Sequence, residues 1–136
     1  KVNTKHRYIM RNNSQNEQSP AFQFYAGDWI SDPSRMRMTL EEQGAYILLY
    51  CHCWRGFQIP FDFEIMSKMC NCTEEKIKKL FPKFEHLFKQ YKDKHGITYL
   101  VSIQAEAERK EQATNRAKRS AAGKKGAEAR WKSDDV

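Results

Sequence analysis

Four cysteines form two Cys-x-Cys pairs, Cys51 with Cys53 and Cys70 with Cys72, and His52 lies inside the first pair. Thiolate and imidazole groups are ligands that zinc prefers, so these pairs raise the possibility of a metal site. Residues two apart on a helix point to nearly opposite sides, and zinc sites use wider spacings such as Cys-x-x-Cys. We therefore expect the cysteines to be small core residues in a reducing compartment, with no metal and no cofactor.

No other group of side chains has the spacing of a catalytic site. The sequence contains no Gly-rich phosphate loop, no nucleophile elbow and no metal-spaced carboxylates. Glu74 and Glu75 are adjacent acids, but they follow Thr73 in the first turn of a predicted helix, where they compensate the helix dipole. The four histidines are scattered: His6, His52, His86 and His95. We expect no catalytic residues and no enzymatic activity.

Basic residues provide the strongest functional signal. The chain has 24 Lys and Arg against 17 Asp and Glu, a net charge of +7. Such an excess favours a polyanionic partner, either nucleic acid or an anionic membrane surface. The basic C-terminal segment has no apolar face to insert, which argues against a membrane. Because there is no long apolar run and no signal peptide, we expect a soluble, cytoplasmic protein.

A helix over residues 39–54 is predicted at the centre of the domain. Thr39 can cap its first turn, and Glu42 stands three residues later, which is the capping-box spacing. Gly56 is expected just past its end. Its apolar residues cover most of the circumference, so we expect the helix to be buried. One stripe contains Leu40, Gly44, Ile47, Leu48 and Cys51, and the other contains Tyr46, Leu49, Tyr50 and Cys53.

The segment before this helix is rich in aromatic residues: Phe22, Phe24, Tyr25 and Trp29. Phe22 and Phe24 alternate with Gln23, which predicts a short strand over residues 22–25. Residues 26–28 (Ala-Gly-Asp) predict a turn. The aromatic residues are expected to cover the central helix, and a base-stacking platform is the alternative.

Two shorter helices are predicted after the central one, capped by Asp62 and Thr73. In the second of them Pro82 should end or kink the helix. Its inward positions are Ile77, Leu80, Phe81 and Phe84, and its opposite face carries Lys76, Lys78, Lys79 and Lys83. Two strand-like runs, residues 87–92 and 97–102, then flank a turn in which Gly96 is expected to adopt a positive φ.

This order of helix, helix, basic helix and hairpin predicts a winged helix-turn-helix, a mainly α fold with a small β-hairpin (α+β). We expect a winged-helix domain over residues 21–103, preceded by a disordered or loosely ordered arm over residues 1–20. The first residue is Lys1 rather than Met, and whether the sequence is part of a longer protein is left open.

Residues 104–136 form a basic, Ala-rich tail. A helix over residues 103–119 is predicted to project from the domain, because it has little apolar surface to bury. Gly123 and Gly126 each weaken a helix by about 1 kcal/mol relative to Ala, so the rest should be helical only on a nucleic acid or a partner. A solvated tail without a binding role is the alternative. Trp131, next to Arg130, is expected to anchor a partner.

Two segments resemble the YdaU-like domain, a family of unknown function found in prophages and other mobile elements. They are residues 24–33 (FYAGDWISDP) and 38–54 (MTLEEQGAYILLYCHCW). Residues 116–132 (RAKRSAAGKKGAEARWK) are similar to the basic ending of that family, and Ala26 replaces a common Pro. The resemblance covers roughly residues 22–132. It implies a role in phage replication or its regulation, and it supplies no catalytic residues.

We therefore hypothesise a DNA-binding protein of a mobile element that prefers duplex DNA and contacts mainly phosphates. The alternative is a non-enzymatic adaptor that recruits a replication protein, such as a helicase or a loader, through Trp131 and Arg130. The oligomeric state is left open, with a homodimer as one alternative. The predicted DNA-binding residues are Lys76, Lys78, Lys79, Lys83, Lys92, Lys94, His95, Arg116, Lys118, Arg119, Lys124 and Lys125.

Overall fold

The computed structural model describes residues 19–134, which form a mainly helical chain with one small antiparallel sheet. The helices are α1 (Ala26–Ser31), α2 (Pro33–Met36), α3 (Leu40–Gly56), α4 (Phe63–Met69), α5 (Glu74–Leu80) and α6 (Ile103–Asp134). The strands are β1 (Ile59–Pro60), β2 (Phe88–Lys92) and β3 (Thr98–Ser102), and two 3₁₀ turns, Phe81–Lys83 and Glu85–Leu87, join α5 to β2. The predicted α+β class is confirmed. The chain divides into two units, Lys1–Glu106 and Ala107–Val136.

Helix α3 begins with the predicted capping box. The Thr39 hydroxyl accepts a hydrogen bond from the Glu42 backbone N–H at 3.2 Å, and the Glu42 carboxylate accepts one from the Thr39 N–H at 2.8 Å. These bonds satisfy donors that a helix start otherwise leaves without partners. At the other end, Gly56 is the last helical residue rather than the first residue past the helix. Phe57 takes the left-handed conformation there, with φ of 69°.

The core lies against one side of α3 only. The second predicted stripe is buried, and Leu49 and Cys53 in it have no exposed surface. The prediction that the first stripe is also buried was wrong for most of it: Leu40 is 87% exposed and Leu48 41% exposed, whereas Ile47 packs partly buried against the core. The reason is that α4, α5 and the sheet pack against the same side of α3. The buried side chains of these elements, and of the 3₁₀ connection between α5 and β2, include Ile59, Met66, Ile77, Phe81, Phe84 and Leu100.

The sheet has the strand order β1-β3-β2, with both pairings antiparallel. Strand β1 is short and pairs Ile59 with Leu100 of β3. The predicted strand over residues 22–25 was wrong, because that segment has no regular structure. Phe22 packs instead on the rings of Tyr50 and Trp54, at centroid distances of 4.8 and 5.6 Å.

The β2–β3 hairpin forms where it was predicted. The Asp93 carboxylate accepts hydrogen bonds from the backbone N–H groups of His95 and Ile97, at 2.8 and 3.0 Å. Gly96 has φ of +79°, a conformation that L side chains rarely adopt. The turn is therefore held by an aspartate and a glycine whose roles are local.

A helix replaces the turn that was predicted at residues 26–28. Helix α1 continues to Ser31, and Asp32 then caps α2 by accepting a hydrogen bond from the Ser34 N–H at 2.9 Å. The Arg35 guanidinium donates to the carbonyl oxygens of Trp29 at 2.7 Å and Ile30 at 2.6 Å, which lie in the last turn of α1. This side chain stabilises a helix too short to persist alone.

The caps predicted for α4 and α5 are confirmed. The Asp62 carboxylate accepts from the N–H groups of Glu64 and Ile65, and the Thr73 hydroxyl accepts from the Lys76 N–H. Residues 70–73 connect the two helices, and Asn71 in this turn has φ of 56°. Helix α5 ends at Leu80.

Helix α6 begins in the first unit and continues through the second to Asp134, past the end predicted near residue 119. Gly123 and Gly126 cost the helix about 1 kcal/mol each but are flanked by alanines, the best helix formers. At its beginning the Ser102 hydroxyl accepts a hydrogen bond from the Ala105 N–H at 3.1 Å. Of the predicted N-terminal arm, residues 1–18 lie outside the described residues.

Candidate nucleic-acid interface

Helix α5 presents its lysines to solvent because its apolar positions are anchored in the core. Ile77 is fully buried, and Phe81 in the following 3₁₀ turn is 1% exposed. This fixes the rotation of the helix about its axis. The four lysines predicted for this surface are all exposed: Lys76, Lys78, Lys79 and Lys83.

Two of these lysines are paired with carboxylates. Lys76 Nζ lies 2.5 Å from Glu41 Oε2 of α3, and the hydrogen bond to this carboxylate raises the pKa of Lys76. Lys78 Nζ lies 3.4 Å from Glu74 Oε1, one turn earlier on α5. Solvent screens exposed ion pairs and makes them weak, so a phosphate can compete for either ammonium.

Lys79 and Lys83 make no ion pair within residues 19–134. Both follow the paired lysines toward the C-terminal end of this segment. They are the positive charges of α5 and its 3₁₀ extension that are most available to an anion.

The hairpin carries the next predicted residues. Lys92 ends β2, and Lys94 and His95 lie in the turn, all exposed. The hydrogen bonds of Asp93 hold this turn, and the stacked rings of Tyr91 and Tyr99, 5.6 Å apart, reinforce the strand pair behind it. Three basic side chains are thus placed on a defined loop.

Helix α6, taken by itself, carries the remaining predicted residues on more than one face. Arg116 and Arg119 are three residues apart and share one side of the helix. Lys118 and Lys125, seven residues apart, share another side, nearly opposite at 3.6 residues per turn. All of them are exposed, as is Lys124. One side of a straight helix therefore presents only part of this positive charge.

The two residues predicted to bind a partner lie near the end of α6. Trp131 is 72% exposed, the largest exposed aromatic side chain among residues 19–134. The Arg130 Nε donates to the Gly126 carbonyl oxygen at 3.4 Å. An exposed indole on a polar helix is an apolar contact point.

The cysteines are separated as the helical geometry requires. Cys51 is exposed and Cys53 buried, and the Cys70 thiol donates to the Ala45 carbonyl oxygen at 3.7 Å. Within residues 19–134 no group of three or more His, Cys, Asp or Glu side chains is placed to hold a metal ion. In the same residues, no helix is long and apolar enough to cross a membrane.

Sequence reasoning missed a cavity of about 290 Å³ in the first unit. It assigned the aromatic residues before α3 to the core, but Phe24 is 56% exposed and Tyr25 49% exposed. They line the opening together with Asp28 and Asp32. The signal in the sequence was the presence of two aspartates among these aromatic residues.

No family model matches the chain, and no curated protein or solved structure gives a significant match to it. The resemblance to the YdaU-like domain therefore stays a prediction.

Proposed function

We propose that the first unit is a winged helix-turn-helix domain that binds duplex DNA. Its element order supports this: α4 and α5 are joined by a four-residue connection, and the β2–β3 hairpin follows α5 after two 3₁₀ turns. Strand β1, which lies between α3 and α4 in sequence, pairs with β3 and ties the hairpin to the helices. In this arrangement α5 is the recognition helix and residues 93–96 are the tip of the wing.

The observation that carries the proposal is the availability of Lys79 and Lys83. Buried Ile77 and Phe81 anchor the segment that carries these two lysines. Because its backbone is already ordered, binding DNA through the two ammonium groups costs little further backbone entropy. Cationic side chains on a rigid helix are suited to fix the register of a protein on the DNA backbone.

The chemistry of these side chains favours phosphate contacts over base readout. Helix α5 carries three lysines and no arginine, and lysine is a point charge without the planar fork that pairs with guanine. We therefore expect weak sequence preference and steep dependence of the affinity on salt.

The test is fluorescence anisotropy on a generic duplex with the double variant Lys79→Glu and Lys83→Glu. At 0.1 M salt each lost phosphate contact should weaken binding by about eightfold, before any added repulsion. The matched control is Arg55→Glu, since Arg55 lies about 21 Å along α3 from the Glu41–Lys76 pair. Unchanged affinity in the double variant, or an equal loss in the control, would show that α5 is not the DNA-binding surface.

The biological setting of the proposal comes from the resemblance to the YdaU-like domain. It supports a role in replication initiation of a phage or mobile element, or in its regulation. In that setting, a domain with weak sequence preference needs something else to direct it to a particular DNA site. Either a partner protein or a second copy of this protein could do so.

A second candidate function is an adaptor, favoured by the exposure of Trp131. In this proposal the indole docks on a replication protein, such as a helicase or a loader. The variant Trp131→Ala should then lose capture of that protein and keep its affinity for DNA, whereas Leu40→Ala, another highly exposed apolar position, should keep both. Loss of DNA affinity in Trp131→Ala would contradict the adaptor role.

A further inference from the structure

The cavity of about 290 Å³ in the first unit is walled by aromatic side chains: Phe22, Phe24, Tyr25, Trp29, Tyr46 and Tyr50. Trp29 stacks on Tyr46 with ring centroids 5.8 Å apart and planes 9° apart, and Phe24 lies 6.2 Å from Trp29. The rings of Phe24, Trp29 and Tyr46 therefore pack against one another around the cavity.

Among residues 19–134, two carboxylates and no basic side chain line this cavity, in a protein whose net charge is +7. Asp32 is half-buried, and its carboxylate lies close enough to Tyr46 to help burial raise the pKa of that phenol. Asp28 is exposed, and although its backbone carbonyl accepts from the Ser31 hydroxyl, its carboxylate makes no hydrogen bond or ion pair within residues 19–134. The charge at the cavity is thus opposite to that of the surfaces proposed to bind DNA, and a phosphate would be repelled.

Aromatic faces together with carboxylates are suited to a cation that carries apolar groups. The volume is near the lower end of ligand cavities, which run from roughly 300 to 1,000 Å³, so it accommodates one side chain rather than a nucleotide. The exposed Phe24 and Tyr25 widen the apolar surface around the opening. Such a surface is suited to a peptide that continues on either side of the inserted residue.

We propose that this cavity binds an arginine side chain presented by a partner protein, with the guanidinium at Asp28 and Asp32 and the methylene groups against the aromatic walls. Arginine is favoured over lysine because its planar, weakly hydrated head stacks on aromatic rings and forms bidentate pairs with carboxylates. This site is independent of the DNA-binding proposal, because it uses none of the same residues.

The test is an NMR titration of the full chain with acetyl-Gly-Arg-Gly-amide, observing the indole N–H signals of its three tryptophans. The Trp29 signal should shift with a Kd on the order of 1 mM, while those of Trp54 and Trp131 stay fixed. The matched peptide contains citrulline, which has nearly the same shape and no charge, and should bind at least about tenfold more weakly. Equal binding of the two peptides would overturn the proposal.

Three protein variants test whether the carboxylates of the cavity bind the guanidinium. Asp28→Asn and Asp32→Asn should each weaken arginine binding by at least about threefold, and asparagine keeps the cap that Asp32 provides to α2. The control is Asp62→Asn, the same change at a capping aspartate outside the cavity. An equal loss in the control would overturn the assignment to the cavity. If free guanidinium binds as tightly as the peptide, the proposal that the ligand is part of a partner protein would be overturned. The cavity would then be a site for a small organic cation.

Discussion

The lysines of α5 differ in how much of their charge is available to DNA. Glu41 holds Lys76 from a neighbouring helix, and Glu74 holds Lys78 from one turn earlier. Lys79 and Lys83 have no such carboxylate within the described part of the chain. A carboxylate that pairs with a DNA-binding lysine competes with the DNA phosphate for that lysine. A substitution of Glu41 therefore tests the DNA-binding surface as directly as a substitution of the lysines.

Glu41→Gln should tighten DNA binding. The change frees Lys76 and removes one negative charge, so the affinity at 0.1 M salt should rise by up to about eightfold, the value of one added phosphate contact. The measurement is anisotropy on a duplex, with Glu64→Gln as the control because Glu64 pairs with Lys68 on α4, 3.9 Å away. Equal tightening in both variants would indicate a general charge effect and no specific contact of Lys76.

The cysteine thiols should differ sharply in reactivity. Burial raises the pKa of Cys70 from 9.0 to about 12, and burial also raises the pKa of Cys51. At pH 9 the thiolate of Cys70 is therefore scarce in the folded protein, although half of the thiols of an unfolded chain are ionised.

Iodoacetamide at pH 9 should therefore modify exposed Cys51 before Cys70, and all four cysteines at similar rates in denaturant. Mass spectrometry of the digested protein measures the order. Because the folded pKa is the higher one, Cys70 favours the native state below pH 9 and loses this contribution as the pH rises from 9 to 12. Early modification of Cys70 would contradict its burial against Ala45.

At the scale of elements, helix starts are encoded locally. Thr39→Ala removes the hydroxyl that accepts from Glu42 and should lower the free energy of unfolding by about 1 kcal/mol. Thr39→Ser keeps the hydroxyl and should cost far less. Urea denaturation followed by circular dichroism measures both, and equal losses in the two variants would show that the methyl group, and not the cap, is what matters.

The same locality explains which elements the sequence could predict. The caps at Thr39, Asp62 and Thr73 and the turn at residues 93–96 depend on contacts within four residues, and the positions of all four were predicted, although the hydrogen bonds of Asp93 were not. The sheet was different: Ile59–Pro60 is a strand only because β3, some forty residues later, pairs with it. Nothing in the local sequence marks that dipeptide as a strand. Residues 22–25 have the stronger strand pattern, but they form no strand because their aromatic side chains pack on α3, which outweighs their β propensity.

Burial on a helix is likewise decided by neighbours. The stripe from Leu40 to Cys51 is as apolar as the stripe containing Leu49, but α4, α5 and the sheet pack mainly on the latter, and Ile47 of the first stripe is only partly buried. The cavity was hidden for the same reason, since its walls come from residues 22–32, from α3, from Leu87 and from the first residues of α6. The lysine surface could be predicted from the sequence, because the helical periodicity of α5 places Ile77 toward the core and the lysines toward solvent.

For the whole molecule, positive charge is divided between the two units. Residues 107–136 contain nine basic and five acidic residues, and residues 1–106 contain fifteen and twelve. Each unit thus has a net positive charge, and whether both contact DNA is a question that salt dependence can answer. Each phosphate neutralised adds about 0.9 to the slope of log K against log salt concentration.

Two charge-matched variants of α6 test whether one side of this helix contacts DNA. Arg116→Gln with Arg119→Gln removes two charges from one side, and Lys118→Gln with Lys125→Gln removes two from the nearly opposite side. Glutamine is as good a helix former as either residue, so the helix should persist. Because a straight helix presents one side to a duplex, one variant should lower the slope by about 2 and the other should leave it nearly unchanged. Equal effects would mean that α6 contributes only diffuse attraction. If neither variant changes the slope, α6 does not belong to the DNA-binding surface. That result would favour the adaptor role of Trp131, since the helix would then be free to carry that indole to a protein.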